Sequence, residues 1–252
     1  KFLPSMSAIL PLKWRSIYLN KLDCVTVPSM CLKEKLNSNA KVIHLGVNPD
    51  KFKPISLKKT VAIRNKNKGR TNIKVGYFGH PGVFKGTNDF VNASTYFQED
   101  IEVHMYFTQR FEKVERYVLK TNPKIILHGF VEDIVQEYNK MDIIVLPYRM
   151  SIGTVANPLV LLESMSCGKA IITTNLDFIR EIVKDSAIIV QNSSPREIKE
   201  AVNILSSDQK LMGELGKRAR EIIINEYSEE NMLLSYLNLY NNLVENRDLK
   251  RK

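Results

Sequence analysis

The chain has 252 residues, 44% hydrophobic and 25% charged, a balance that excludes a disordered or fibrous polypeptide and provides a sizeable globular core. Its 37 Lys and Arg against 27 Asp and Glu leave +10, which favours an anionic partner: phosphate, nucleotide, nucleic acid or an acidic membrane surface. Three cysteines, Cys24, Cys31 and Cys167, lack metal spacing and argue for a reducing, cytoplasmic setting rather than a disulfide framework, and no apolar run approaches the ~20 residues of a membrane span.

The opening KFLPSMSAILPLKW is broken by Pro4 and Pro11 and carries no convincing secretory cleavage site. LDCVTVPS then reads as a strand ending in a turn, CLKEKLNS as a short helix and AKVIHLG as a second strand. These elements are too few for a domain, so residues 1–46 are expected to be part of one. GVNPDKFKP, with two prolines and a glycine, reads as a linker. KKTVAIRNKNKGRTNIK follows as a basic loop; without interleaved aromatics it reads as a solvated surface, and residues 47–72 form one connecting segment.

From residue 73 to 227 apolar runs alternate with amphipathic ones. IKVGYFG precedes a helix near 87–97, EVHMYF one over 109–120, and KIILHG one at 132–140; DIIVLP, KAIITT and AIIV each lead into further helical pattern. Strands separated by helices of this length predict a Rossmann-like parallel α/β sheet flanked by helices, with ligands beyond the carboxyl ends of its strands. Residues 228–252 form a last helix and tail, whose apolar Met232, Leu233, Tyr236, Leu237, Tyr240 and Leu243 need a surface to cover.

Two connections carry the candidate chemistry. HPGVFKGTNDF follows the first strand of the sheet: Gly79, Gly82 and Gly86 let backbone approach a ligand, and His80 and Lys85 lie within the turn. Taken alone, Lys85 is an ordinary solvated loop lysine. Neither G-x-G-x-x-G nor G-x-x-x-x-G-K-[ST] occurs, which removes the usual signatures of dinucleotide and P-loop sites. LPYRMSIGTVANP supplies Arg149, hydroxyls at Ser151 and Thr154, the flexible Gly153, and a helix expected from Pro158 to Cys167 with Asn157 as its N-cap and Gly168 ending it. Charge, hydroxyls and free amides at a helix tip are what a diphosphate needs. Glu163 lies further along that helix, beside Leu159, Leu162 and Ser166. In isolation it is a boundary acid; above a diphosphate site it can accept hydrogen bonds from a sugar diol. The histidines at 44, 80, 104 and 128 form no metal-ligand cluster.

The ordered set D-x-x-x-x-P, a Gly-containing loop, NPLVLLESMSCGKAIITT and IREIV resembles the C-terminal half of GT-B fold glycosyltransferases of the retaining group 1 type, family 4. YFGHPGVFKG, LHGFVED, LDCVTVPS and VIHLGVNPDKFKP extend the agreement over roughly residues 20 to 245. The resemblance implies that residues 73–227 bind a nucleoside-diphosphate sugar and that residues 1–46 are the remnant of an N-terminal acceptor domain, the rest of which a longer chain or a partner would supply. It implies that Glu163, matching the second acid of an E-x7-E motif, bonds the ribose; that Lys85 contacts the diphosphate; that backbone at Gly129, Phe130 and Val131 reads the base; and that Pro158 and Leu159 begin the helix under the phosphates. Glu181 matches a family acid of uncertain role.

Two positions depart from the pattern. Val155 stands where the first acid of the motif would meet the transferred sugar, and His80 follows Gly79 where the family usually has arginine. The expectation drawn from this is that Arg149 replaces the missing cation and that amides near Gly153 and Thr154 hold the sugar phosphate. The implied reaction needs no cofactor or metal. Its acceptor is a glycan, a lipid or a small molecule, met in the cytoplasm or by peripheral contact with the cytoplasmic membrane face. Two other readings are a nucleotide-sugar-binding protein without transfer and, ranked last because the basic residues cluster in one loop, a nucleic-acid binder.

Overall fold

The computed structural model describes residues 22, 24–36, 39–55, 72–150 and 158–249. In chain order these form β1 (Thr26–Val27), α1 (Met30–Leu36), β2 (Lys41–Val42), β3 (Ile73–Phe78), α2 (Thr87–Ser94), β4 (Ile101–Tyr106) and α3 (Glu112–Thr121). Next come β5 (Ile126–His128), α4 (Ile134–Lys140), β6 (Ile143–Leu146), α5 (Leu159–Ser166) and β7 (Ala170–Thr174). The last are α6 (Asp177–Val183), β8 (Ala187–Val190), α7 (Pro195–Ser207), α8 (Gln209–Glu226) and α9 (Glu229–Leu249).

Strands β3 to β8 make one parallel sheet in the order β5-β4-β3-β6-β7-β8. Counted within the sheet this is 3-2-1-4-5-6, the Rossmann order, and the winding reverses between β3 and β6. The predicted parallel α/β sheet is therefore observed. β3, β6 and β7 are buried on both faces, which is why they read as continuous apolar runs rather than alternating ones. Val75 and Tyr77 of β3 and Val145 of β6 join Val91 of α2, Val118 of α3 and Val202 of α7 in one layer. Phe78 of β3 and Ile144 of β6 join Tyr138 of α4, Leu161 and Leu162 of α5, Ile179 of α6 and Ala219 of α8 in the other. Burying a side chain such as Leu161 or Leu162, both 0% exposed, contributes about 2 kcal/mol, so α5 is fixed by its packing rather than by its length of eight residues.

Helix ends differ from expectation by a few residues. α5 begins at Leu159 with Pro158 as its N-cap; Asn157, expected in that role, lies outside the described residues, as do Ser151, Gly153, Thr154 and Val155. Gly168 closes this segment in the left-handed conformation expected of a helix-ending glycine, with φ 66°. Residues 56–71, including most of the basic loop, are also outside the description.

The segment expected to be a linker is instead packed where it is described. Asn48 Oδ1 accepts the amides of Asp50 and Lys51, each at 3.0 Å, in a side-chain turn. Phe52 is 7% exposed in the α4/α5 layer, and its carbonyl accepts Ser166 Oγ at 2.5 Å and Arg220 Nη1 at 3.1 Å. Prolines and a glycine gave this stretch the composition of a linker, but one aromatic side chain and two distant donors fix it.

β1 and β2 pair in parallel as a separate two-stranded sheet. Glu181 of α6 accepts the amides of Met30 at 2.8 Å and Cys31 at 3.2 Å, so the acid of IREIV caps α1 from across the molecule. Val47 exchanges backbone hydrogen bonds with Tyr227 and Glu229 at the junction of α8 and α9. α9 buries Leu239 but leaves Leu233, Leu237, Tyr240 and Val244 more than half exposed, so much of its apolar surface is uncovered. Among the described residues no helix is long and apolar enough to cross a membrane.

Candidate functional site

β3 and β6 pair only at Val75–Ile143 and Gly76–Ile144, so each runs two residues beyond its last rung before entering a loop. Those loops flank the reversal of the sheet, where a crevice forms in doubly wound folds. After β3, Gly79 takes φ 136° and donates to Tyr106 O at 3.1 Å. His80 is exposed and meets the edge of the Phe111 ring at 4.6 Å. The chain then passes through a single 3-10 turn, Val83–Lys85, into α2. The Thr87 hydroxyl ties this turn down, accepting Gly82 N–H at 2.9 Å and lying 3.0 Å from Tyr77 Oη.

Lys85 is half-buried, with Nζ 5.1 Å from the centre of the Tyr148 ring. Burial pulls its pKa below the ordinary lysine value. Gly86 has φ 68°, and a β-carbon there would land on the carbonyl of Pro147. The exit of β6 therefore lies directly against the lysine turn. Arg149 N–H donates to Phe84 O at 3.0 Å, while Thr174 Oγ1 and Asn192 Nδ2 hold the Tyr148 and Arg149 carbonyls at 2.5 and 3.3 Å.

Arg149, expected to replace the missing cation, is engaged by a carboxylate that the sequence did not point to. Its Nε and Nη2 each reach a carboxylate oxygen of Asp89 at 2.6 Å, a two-pronged ion pair in which the Asp89 side chain is 3% exposed. Asp89 had no signal in the sequence, because its partner lies 60 residues away on another element.

α5 starts with no side chain capping it, and Leu159 is 51% exposed at its tip. In its second turn Glu163 Oε2 accepts Tyr138 Oη at 2.7 Å. Burial raises the Glu163 pKa, with the Tyr138 hydroxyl and the charge of Lys51 opposing that shift. Tyr138 and Lys51 are neighbours of Glu163 that no local pattern announces. On the far side, Gly129 and Phe130 are exposed after β5, Phe130 at 79%, and Val131 packs on the α4/α5 layer. The structure thus brings Gly79, His80, Lys85, Arg149, Pro158, Leu159 and Glu163 to the two flanks of the β3/β6 reversal, with Gly129 to Val131 following β5 at the sheet edge.

A stack of rings underlies that last loop. Phe78, Tyr106 and His128 are register partners at the ends of β3, β4 and β5, with centroids 4.3 and 4.2 Å apart and planes within 6°. His128 Nε2 is 2.9 Å from His104 Nδ1, and His104 Nε2 is 2.6 Å from Glu102, which Lys74 also pairs at 3.1 Å. Tyr106 donates to Glu137 at 2.8 Å, and Lys140 pairs with that same acid at 2.6 Å. Burial depresses both histidine pKa values, and for His128 the neighbouring His104 adds to the effect. A depressed pKa means the native chain binds fewer protons than the unfolded one just below the ordinary histidine value of about 6.5, so stability is lost as pH falls through that window. The melting temperature should be lower at pH 5.5 than at 7.5, and His128→Gln should flatten that slope. An equal slope in the variant would take the pair out of the pH response. Among the described residues no group of three or more His, Cys, Asp or Glu could hold a metal ion.

A six-stranded parallel sheet in Rossmann order, with helices on both faces, defines a doubly wound α/β protein. The sequence profile of the group 1 glycosyl transferases matches residues 72–208, and the chain belongs to that family. Among curated relatives it is 26% identical over 238 residues to the N,N'-diacetylbacillosaminyl-diphospho-undecaprenol alpha-1,3-N-acetylgalactosaminyltransferase of Campylobacter jejuni, covering 91% of this chain and 61% of that protein. Sucrose-phosphate synthase of Thermosynechococcus elongatus superposes with TM-score 0.80 at 19% identity, covering 96% of this chain and 64% of that one. Anabaena HepE in complex with UDP superposes with TM-score 0.80 at 15% identity, covering 92% and 67%. These likenesses show the GT-B glycosyltransferase fold, and the chain spans about three fifths of the length of the curated relatives it matches.

Proposed function

We propose that this chain is the donor-binding half of a glycosyltransferase that moves a sugar from a nucleoside-diphosphate sugar to an acceptor hydroxyl with retention of configuration. The observation that carries the reading is the half-buried Lys85, held against the exit of β6 over the Tyr148 ring, in a sheet whose order reverses between β3 and β6. Breaking the bond from the anomeric carbon to the diphosphate leaves negative charge on the departing oxygen. Lys85 and the first amides of α5 stabilise that charge, so the scheme calls for no metal or cofactor. Glu163, held by Tyr138, accepts the ribose hydroxyls, and the amides of Gly129 to Val131 meet the base. Support for the donor class comes from the neighbour solved with UDP and with UDP-glucose.

The acceptor is a glycan, lipid or small molecule taken up by a further N-terminal half, in cis or from a partner. The +10 charge suits a lipid-linked acceptor met by peripheral contact at the cytoplasmic membrane face, and nucleic acid is not a ligand. The reading is tested by thermal shift of the chain against UDP, GDP and ADP and their sugars. One series should raise the melting temperature with concentration as mass action requires. No shift with any of them, together with binding to single-stranded RNA that falls steeply with salt, would replace it with the nucleic-acid reading.

A further inference from the structure

We infer that Asp89 is a positioning residue for the diphosphate site: through Arg149 it holds the exit of β6 against the turn that presents Lys85. The inference rests on the donor-site reading above and assigns Arg149 to support rather than to phosphate contact.

Three observations converge on it. Asp89 sits in the first turn of α2, directly after the Val83–Gly86 turn, and its carboxylate is buried with the Arg149 fork closed on both oxygens at 2.6 Å. A carboxylate that is 3% exposed must be neutralised in place, and this one is neutralised by a planar donor that fixes angle as well as distance. Arg149 is also tied by its backbone, its N–H to Phe84 O at 3.0 Å and its carbonyl to Asn192 at 3.3 Å. The residue therefore bridges the lysine turn, α2 and the segment after β8.

Tyr148 directly precedes these anchors, and the Lys85 amine lies 5.1 Å from the centre of its ring. The Tyr148 ring is buried and the residue's carbonyl is tied by Thr174, so loosening Arg149 acts on the lysine turn itself, through the bond from Arg149 N–H to Phe84 O. The pair also offsets the guanidinium charge, which assigns the contact with an anion to Lys85 rather than to Arg149.

The test is calorimetric titration of the full chain with inorganic pyrophosphate, which avoids the question of the base, in wild type, D89N, K85A and the double variant. D89N should weaken pyrophosphate about tenfold, a loss of the size expected for one charge-assisted hydrogen bond, yet cost less than about twofold once Lys85 is gone. D89E, which keeps the charge on a longer arm, should recover part of the loss, and it carries the same cycle if D89N does not fold. Three results would overturn the inference. Unchanged affinity with only a lower melting temperature would make Asp89 purely structural. A loss that adds in full to that of K85A would uncouple it from Lys85. Tighter binding by D89N would show that Arg149, once released, is itself a phosphate ligand. If wild type and K85A bind pyrophosphate equally poorly, the donor-site reading fails first and this one with it.

Discussion

Gly86→Ala should be among the most damaging single-methyl changes in the chain, lowering stability by about 3 kcal/mol in urea unfolding. The residue holds φ 68°, where a β-carbon is strained, and the added carbon would meet the backbone carbonyl of Pro147 rather than the yielding end of a side chain. Left-handed backbone costs about 1 kcal/mol for alanine, and forcing two segments apart in a packed interior adds about 2 kcal/mol. Pro147 leads straight into Tyr148 and Arg149, so the same displacement should also weaken diphosphate binding. A loss under about 1 kcal/mol would mean that the β6 exit yields easily and is no fixed wall of the site.

Glu163→Gln should separate stability from binding. The pKa of Glu163 is raised by burial, so between its unfolded and folded values the native chain holds more protons than the unfolded one. Stability therefore falls as pH climbs through that window, and above it the ionised carboxylate is a standing burden. Glutamine keeps an acceptor for Tyr138 Oη without the charge, so the unliganded variant should melt higher than wild type at pH 7.5. The same change removes the anionic acceptor offered to a pentose diol. Affinity for the preferred nucleoside diphosphate should drop about tenfold or more while pyrophosphate affinity stays level, since hydrogen bonds to a charged partner are worth about 1.5–3 kcal/mol. Equal losses for both ligands would move Glu163 from the ribose to the phosphates.

The contrast between Glu163 and Arg149 shows what the amino-acid order could reveal. Both lie on segments whose positions follow from apolar runs, a proline at a helix start and glycines at turns, and these placed the two loops at the strand ends. Their partners are another matter. Tyr138 reaches Glu163 from 25 residues away and Asp89 reaches Arg149 from 60, contacts made by the folding of layers onto each other and not by any local period. A cation read without its partner looks solitary; the fold gives Arg149 a buried carboxylate to hold. Phe52 fails to stand out for the same reason, because its neighbours have linker composition while its burial is decided by α4 and α5. His104 and His128 read as separate strand ends because the edge pairing of β4 with β5, which brings their rings into one hydrogen bond, has no mark in either segment.

The Glu181 cap on α1 also bears on the order in which the molecule assembles. α1 has seven residues, too short to persist alone, and its start is secured by an acid 151 residues further along. Val47 likewise pairs with backbone beyond residue 226. During synthesis, residues 24–47 leave the ribosome long before either partner exists. The contacts with Glu181, Tyr227 and Glu229 therefore complete only after those residues have emerged, late in synthesis.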